Sequence, residues 1–154
     1  MMDERAALSL GASMAQWPQA LAFVEAFCSR HGVAHDDRLR LVLVAEELFT
    51  NSVEHGHAGD ADAPIRIELA HEPGRLHFFI EDSAPAFDPL AQARANATAL
   101  DADIDARQVG GLGLVLVEQL AADARYAREQ GRNRIWITLA IAAPPGTHGP
   151  VLPR

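Results

Sequence analysis

Lysine is absent from this chain and cysteine nearly so. All thirteen basic residues are arginine. That excludes a Walker A loop, whose lysine grips the phosphates, and the usual eukaryotic-type protein kinase with its strand lysine. Any phosphate chemistry must use another fold. The one cysteine, Cys28, permits neither an intrachain disulfide nor a thiolate metal cluster, and it reads as a buried core thiol in a reducing cytoplasm. Excess positive charge is missing too: a net charge of -8 leaves no broad basic surface, so direct nucleic-acid binding is not expected. Nor is there an apolar run of bilayer length or a secretory pattern in the acidic start Met1-Met2-Asp3-Glu4-Arg5, so a cytoplasmic protein with no membrane partner is expected.

What is present suits one domain. The chain has 154 residues, 49% of them hydrophobic, enough for one sizeable core. We place that domain at 1–141 and a disordered Pro/Gly-rich tail at 142–154, where Pro144, Pro145, Gly146, Gly149, Pro150 and Pro153 disfavour regular structure. Ala7 to Ala12 reads as an edge strand. A helix follows from Pro18 to Arg30-His31, stopped by Gly32, and a second runs from His35 to about His55 with Gly56 behind it. On the second helix Leu41, Val44, Ala45, Leu48 and Ser52 form the core stripe, while Glu47, Asn51 and His55 line its flank, each four residues from the next. His57 to Pro64 is a polar linker. Alternation in Ile65 to Ala70 and in Leu76 to Ile80 across Glu72-Pro73-Gly74 predicts an antiparallel hairpin ending at Asp82. Residues 90–109 read as a partly helical, mobile cover. A third helix follows the glycines at 110–113, and a second hairpin joins 125–128 to 134–141 across residues 129–133. Three helices on one face of a mostly antiparallel, mixed sheet make an α+β, two-layer sandwich.

Three segments carry chemistry. Glu47-Leu48-Phe49-Thr50-Asn51 sets a carboxylate and an amide one helical turn apart; Asp82 to Pro89 ends a strand in an acidic turn; Gly110-Gly111-Leu112-Gly113-Leu114 is a flexible loop opening a helix. A nucleotide needs an acceptor for its base amine, backbone N–H groups for its phosphates and hard oxygen ligands for its metal. Each segment supplies one of these.

In the order and spacing of these motifs the chain resembles the bacterial anti-sigma-factor serine/threonine kinases of partner-switching systems, within the histidine-kinase-like and gyrase-like ATPase superfamily. The likeness covers roughly residues 7–141 and implies a Bergerat-type ATP-binding fold. Glu47 to Gly56 corresponds to the N box, Glu81-Asp82 through Phe87-Asp88-Pro89 to the first glycine box, and Gly110 to Leu114 to the second; Arg125-Tyr126 with Gly131-Arg132-Asn133 looks like the closing hairpin. The resemblance implies ATP and Mg2+ as cofactors, Asn51 as the metal ligand, Glu47 as the general base, and Asp82 as acceptor for the adenine amine. The backbone of Gly110, Gly111 and Gly113, with Leu112 and Leu114 beside it, would meet the phosphates. His55 is a candidate phosphate neighbour, Arg107 a candidate for γ-phosphate compensation, and Phe87 is expected to pack beneath the turn. Ala84 replaces the family's usual glycine two residues after the Asp, where a methyl group restricts the backbone.

The implied function is phosphorylation of a serine on a small anti-anti-sigma protein of the STAS type. In another state a sigma factor would be bound, and a homodimer would contact through the N-terminal strand or first helix. A rival from another class is a non-catalytic ATP-binding module that sequesters a regulator. A sensor histidine kinase would need a phospho-accepting helical hairpin, and a gyrase-type ATPase a transducer domain, for which these residues leave no room. Plainer readings remain for the parts: Glu47 and Asn51 as a solvated helix flank, Asp82 as a turn residue satisfying its own backbone, the glycines as a helix cap, and Arg125, Arg128, Arg132 and Arg134 as solvated arginines.

Overall fold

Period-two alternation builds the sheet of this computed structural model, in which residues 4–56, 63–100 and 111–142 are described. The strands are β1 (Glu4–Gly11), β2 (Pro64–Glu72), β3 (Arg75–Asp82), β4 (Asp123–Glu129) and β5 (Arg132–Ala140). They lie in the order β1-β2-β3-β5-β4. Every pairing is antiparallel, so the expected mixed character is absent among the described residues. Ile65, Ile67 and Leu69 of β2, Leu76, Phe78 and Ile80 of β3, and Ile135, Ile137 and Leu139 of β5 all point to one buried face.

Helices cover that face. α1 (Trp17–Arg30) starts with Pro18 in its first turn, and Gly32 just beyond it adopts a φ of +64°, which removes any steric cost from the stop. α2 (His35–Gly56) buries Leu41, Val44, Ala45, Leu48 and Ser52, the stripe expected from sequence. Phe27, Phe49 and Phe78 are fully enclosed between the layers, each stabilising the fold by about 2–3 kcal/mol through burial. Cys28 lies among them, and burial pushes its thiol up to about 11, so it is inert packing.

Two elements differ from expectation. Pro89–Leu100 is a helix, α3, where a partly helical cover is expected; Asp88 starts it by accepting from the N–H groups of Leu90 (2.9 Å) and Ala91 (3.1 Å), with Pro89 at the first helical position. It packs on α4 (Gly111–Leu120), so four helices form the layer where three are expected. The second hairpin is also tighter: its turn is only Gln130-Gly131, with φ of 53° and 74°, the mirror-image turn that matches strand twist. The predicted tail beyond residue 142, the linker at 57–62 and part of the cover lie outside the described residues.

The end of β5 is tied to the start of α2. Asp37 accepts from the N–H of Ala142 (3.0 Å) and pairs with Arg40, whose guanidinium donates to the carbonyl of Ala140 (2.7 Å). The opposite sheet face is left open by these helices. There Arg125 stacks 4.1 Å above the Trp136 ring, and a cavity of about 490 Å³ is bordered by Arg5, Glu68, His77 and Phe79, on the far side of the sheet from Asp82.

Candidate active site

The α2 flank brings its polar line to the mouth of the layer. Glu47 is half-buried and its carboxylate lies directly against Gly113 in the first turn of α4; a Cβ at 113 would overlap it. Gly113 is therefore needed for space, and its φ lies outside the left-handed region. Burial first, then the charges of Glu46 and Glu54, raise the proton affinity of Glu47 above that of an ordinary glutamate. Glu46 and Glu54 themselves are exposed, as expected. Asn51, one turn on, is half-buried.

Asp82 ends β3 on the core-facing side and is 7% exposed. Its carboxylate accepts from the Ser52 hydroxyl, the Asn133 side-chain amide (2.9 Å) and the backbone N–H of Ala84 (3.1 Å). The bond from the Ala84 N–H is the turn role of the plainer reading. A carboxylate offers about four acceptor positions. Three are taken by these donors, leaving one for an incoming N–H.

Asn133 is the organiser that sequence reasoning missed. It stands opposite Asp82 in the β3–β5 register and is 4% exposed. Its Nδ2 donates to Asp82 and to the Pro85 carbonyl (3.0 Å), while its Oδ1 accepts from the Phe87 N–H (3.2 Å) and the Tyr126 hydroxyl (2.5 Å). Arg128 adds a bond to the Ala84 carbonyl (2.6 Å). The 83–88 loop is held by side chains of β4 and β5 in place of glycine geometry. Ala84 is buried and has no positive φ, so its methyl costs no backbone strain. Ser52, assigned only to the core stripe, is the second missed residue. The signal for both was a polar side chain at a core-facing position.

The arginines expected to be solvated are engaged. Arg132 and Arg134 both donate to Glu81, at 2.9 and 2.7 Å. Burial opposes ionisation of Glu81, but these hydrogen bonds and charges outweigh it and hold its carboxyl below the usual range. Phe87 packs face to face with His55, ring centroids 4.3 Å apart and planes within 8°. Leu114 is buried in the core, where it seats α4. Gly111 opens α4; the side chain of Leu112 is not described, and Arg107 and Gly110 lie outside the described residues. Among the described residues no cluster of three or more His, Cys, Asp or Glu could hold a metal. A magnesium ion would take Asn51 as a single protein ligand and rely on phosphate oxygens and water for the rest, which suits its chemistry. No described helix is long and apolar enough to cross a membrane.

Comparison with known proteins bears on the family and the fold. The curated relatives include the serine-protein kinase RsbW of Listeria monocytogenes, 30% identical over 105 residues that span 67% of this chain and 66% of the relative. The matched region thus falls just short of two thirds of that protein's length. They also include the serine/threonine-protein kinase BtrW of Bordetella bronchiseptica, 27% identical over 90% of this chain and 95% of that one. Among solved structures, a chain of the SiaB–SiaC complex from Pseudomonas aeruginosa superposes with a TM-score of 0.64 at 12% identity, over 87% of this chain and 88% of that one. The RsbU and RsbW domains of Rv1364c from Mycobacterium tuberculosis superpose at 0.61 and 19% identity, over 92% of this chain and 33% of that one; both share the fold. The profile described as "Histidine kinase-like ATPase domain" matches residues 10–139, and the chain belongs to that family.

Proposed function

We propose that this protein is an ATP-dependent serine/threonine-protein kinase of a partner switch, phosphorylating a serine of a small STAS-type anti-anti-sigma protein and, in another state, binding a sigma factor. The observation that carries the reading is Glu47, a half-buried carboxylate with raised proton affinity set against the glycine-opened start of α4. The kinase names of the relatives support it.

In this reading the spare acceptor position of Asp82 takes the exocyclic amine of adenine. Backbone N–H groups at the start of α4 meet the phosphates, where the helix dipole favours anions. Asn51 offers its side-chain carbonyl oxygen to Mg2+, which when bound neutralises phosphate charge. Glu47 accepts the proton of the substrate hydroxyl as its oxygen bonds to the γ-phosphorus, and the bond from that phosphorus to the ADP oxygen breaks. β1 is an edge strand of the described sheet, so pairing of two β1 strands is the homodimer contact in the same proposal.

The test incubates the purified chain with labelled ATP and the candidate anti-anti-sigma protein, and reads the phosphoserine by mass spectrometry. Glu47→Gln should keep nucleotide binding and lose about 10²–10⁴-fold in transfer, the usual worth of a general base. Asn51→Ala should lose the magnesium-dependent part of binding. A wild-type chain that binds ATP without transferring phosphate supports the second reading, a sequestering nucleotide module.

A further inference from the structure

The pocket that contains Asp82 is bordered by Asn51, Ser52, His55, Ala84, Phe87 and Asn133 and encloses only about 10 Å³. That is room for about one water and not for a base. The rings at its border are unequally held. Phe87 is fixed through its backbone N–H to Asn133, which is itself bonded to Asp82, Pro85 and Tyr126. His55 sits exposed in the last turn of α2, and among the described residues its ring makes no hydrogen bond and stacks on Phe87.

We propose that the His55–Phe87 stack is the closed form of a base gate: a purine enters by displacing the His55 ring and taking its place on the face of Phe87, which presents its amine edge to Asp82. The inference rests on the adenine-nucleotide reading above and adds a residue role to it. One flat ring replaces another, so the platform keeps its stacking partner while the displaced imidazole moves into water. The gate taxes binding, because the apparent affinity is the open-form affinity multiplied by the fraction of molecules that are open. His55 is then a competitor for the base, and Phe87 a contact that selects for an extended aromatic face.

The experiment is calorimetric titration of the full chain with ATP and, separately, with adenosine, for the wild type, His55→Ala and Phe87→Leu, with circular dichroism confirming the fold. His55→Ala should tighten both ligands by the same factor, about 2- to 10-fold, the range set by an aromatic pair. Phe87→Leu should weaken both by about tenfold or more, as loss of a stacking platform does. Exposed His55 keeps the test decisive if Phe87→Leu does not fold. If His55→Ala weakens ATP and leaves adenosine unchanged, His55 is a phosphate contact and the gate is wrong. Unchanged affinities in His55→Ala, with nucleotide bound by the wild type, overturn the gate alone. A wild type that binds no adenine ligand overturns the functional reading, and the gate falls with it.

Discussion

A carboxylate that holds its proton more tightly than usual is a stronger base once ionised, and Glu47 is such a group. In the proposed reaction its raised pKa places the ionisation that would switch on transfer above the ordinary glutamate value of 4.5. Phosphoryl transfer should therefore rise with pH through a midpoint above 4.5, then level off; a rate profile over the acid range checks this, and in Glu47→Gln that limb should vanish. Asn133 poses a different test, because removing it orphans buried groups on several elements at once. Asn133→Ala leaves Asp82 short of one donor and the Phe87 N–H and the Tyr126 hydroxyl without their acceptor. We expect a loss of about 2–3 kcal/mol in denaturant unfolding, the cost of unsatisfied buried polar groups.

At the scale of elements, α2 and α4 meet where Glu47 fills the space beside Gly113. Gly113→Ala should leave the fold intact, since the flexible end of Glu47 can yield, and should lower transfer about 10–100-fold through a misplaced base, with a smaller change in nucleotide affinity. Steady-state kinetics beside calorimetry checks the split. In the β4–β5 turn, Gln130 bears a φ that favours Asn or Gly. Gln130→Asn should stabilise by about 0.5–1 kcal/mol and raise Tm by about 2 °C. Periodicity made these elements legible: the α2 stripe and the β2–β3 alternation each follow a single repeat. The start signal of α3, Asp88 capping ahead of Pro89, lies inside the segment that reads as an acidic turn, and the Ala-rich run behind it has too little amphipathic contrast to read as more than partly helical. The link between Asp82, Ser52 and Asn133 was hidden for another reason. It joins Asp82 to Asn133, 51 residues on, through strand register and to Ser52, 30 residues back, through the packing of α2 on the sheet, which no local pattern encodes.

Across the whole molecule, α1 and β2 touch through two imidazoles, His31 and His71, stacked 5.0 Å apart, with Phe27 against His31. Burial first, then His31, lower the pKa of His71 below 6.5, with Glu4 and Glu72 pulling the other way. The unfolded chain therefore takes up the His71 proton before the folded one does. Stability from this contact is complete above about pH 6.5 and is lost as pH falls below it. Thermal melts across that window should show a falling Tm, with a shallower slope in His71→Gln. At lower pH the Arg-clasped Glu81 adds its own loss, beginning below 4.5 as its carboxyl is protonated. The Asp37 clasp on Ala142 has a consequence for engineering. Eighteen helical steps along α2 lead from Asp37 to His55, a rigid spacer of roughly 27 Å. A fluorescent reporter joined just after Ala142 would begin its path at the remote end of that rod, clear of the His55–Phe87 pair.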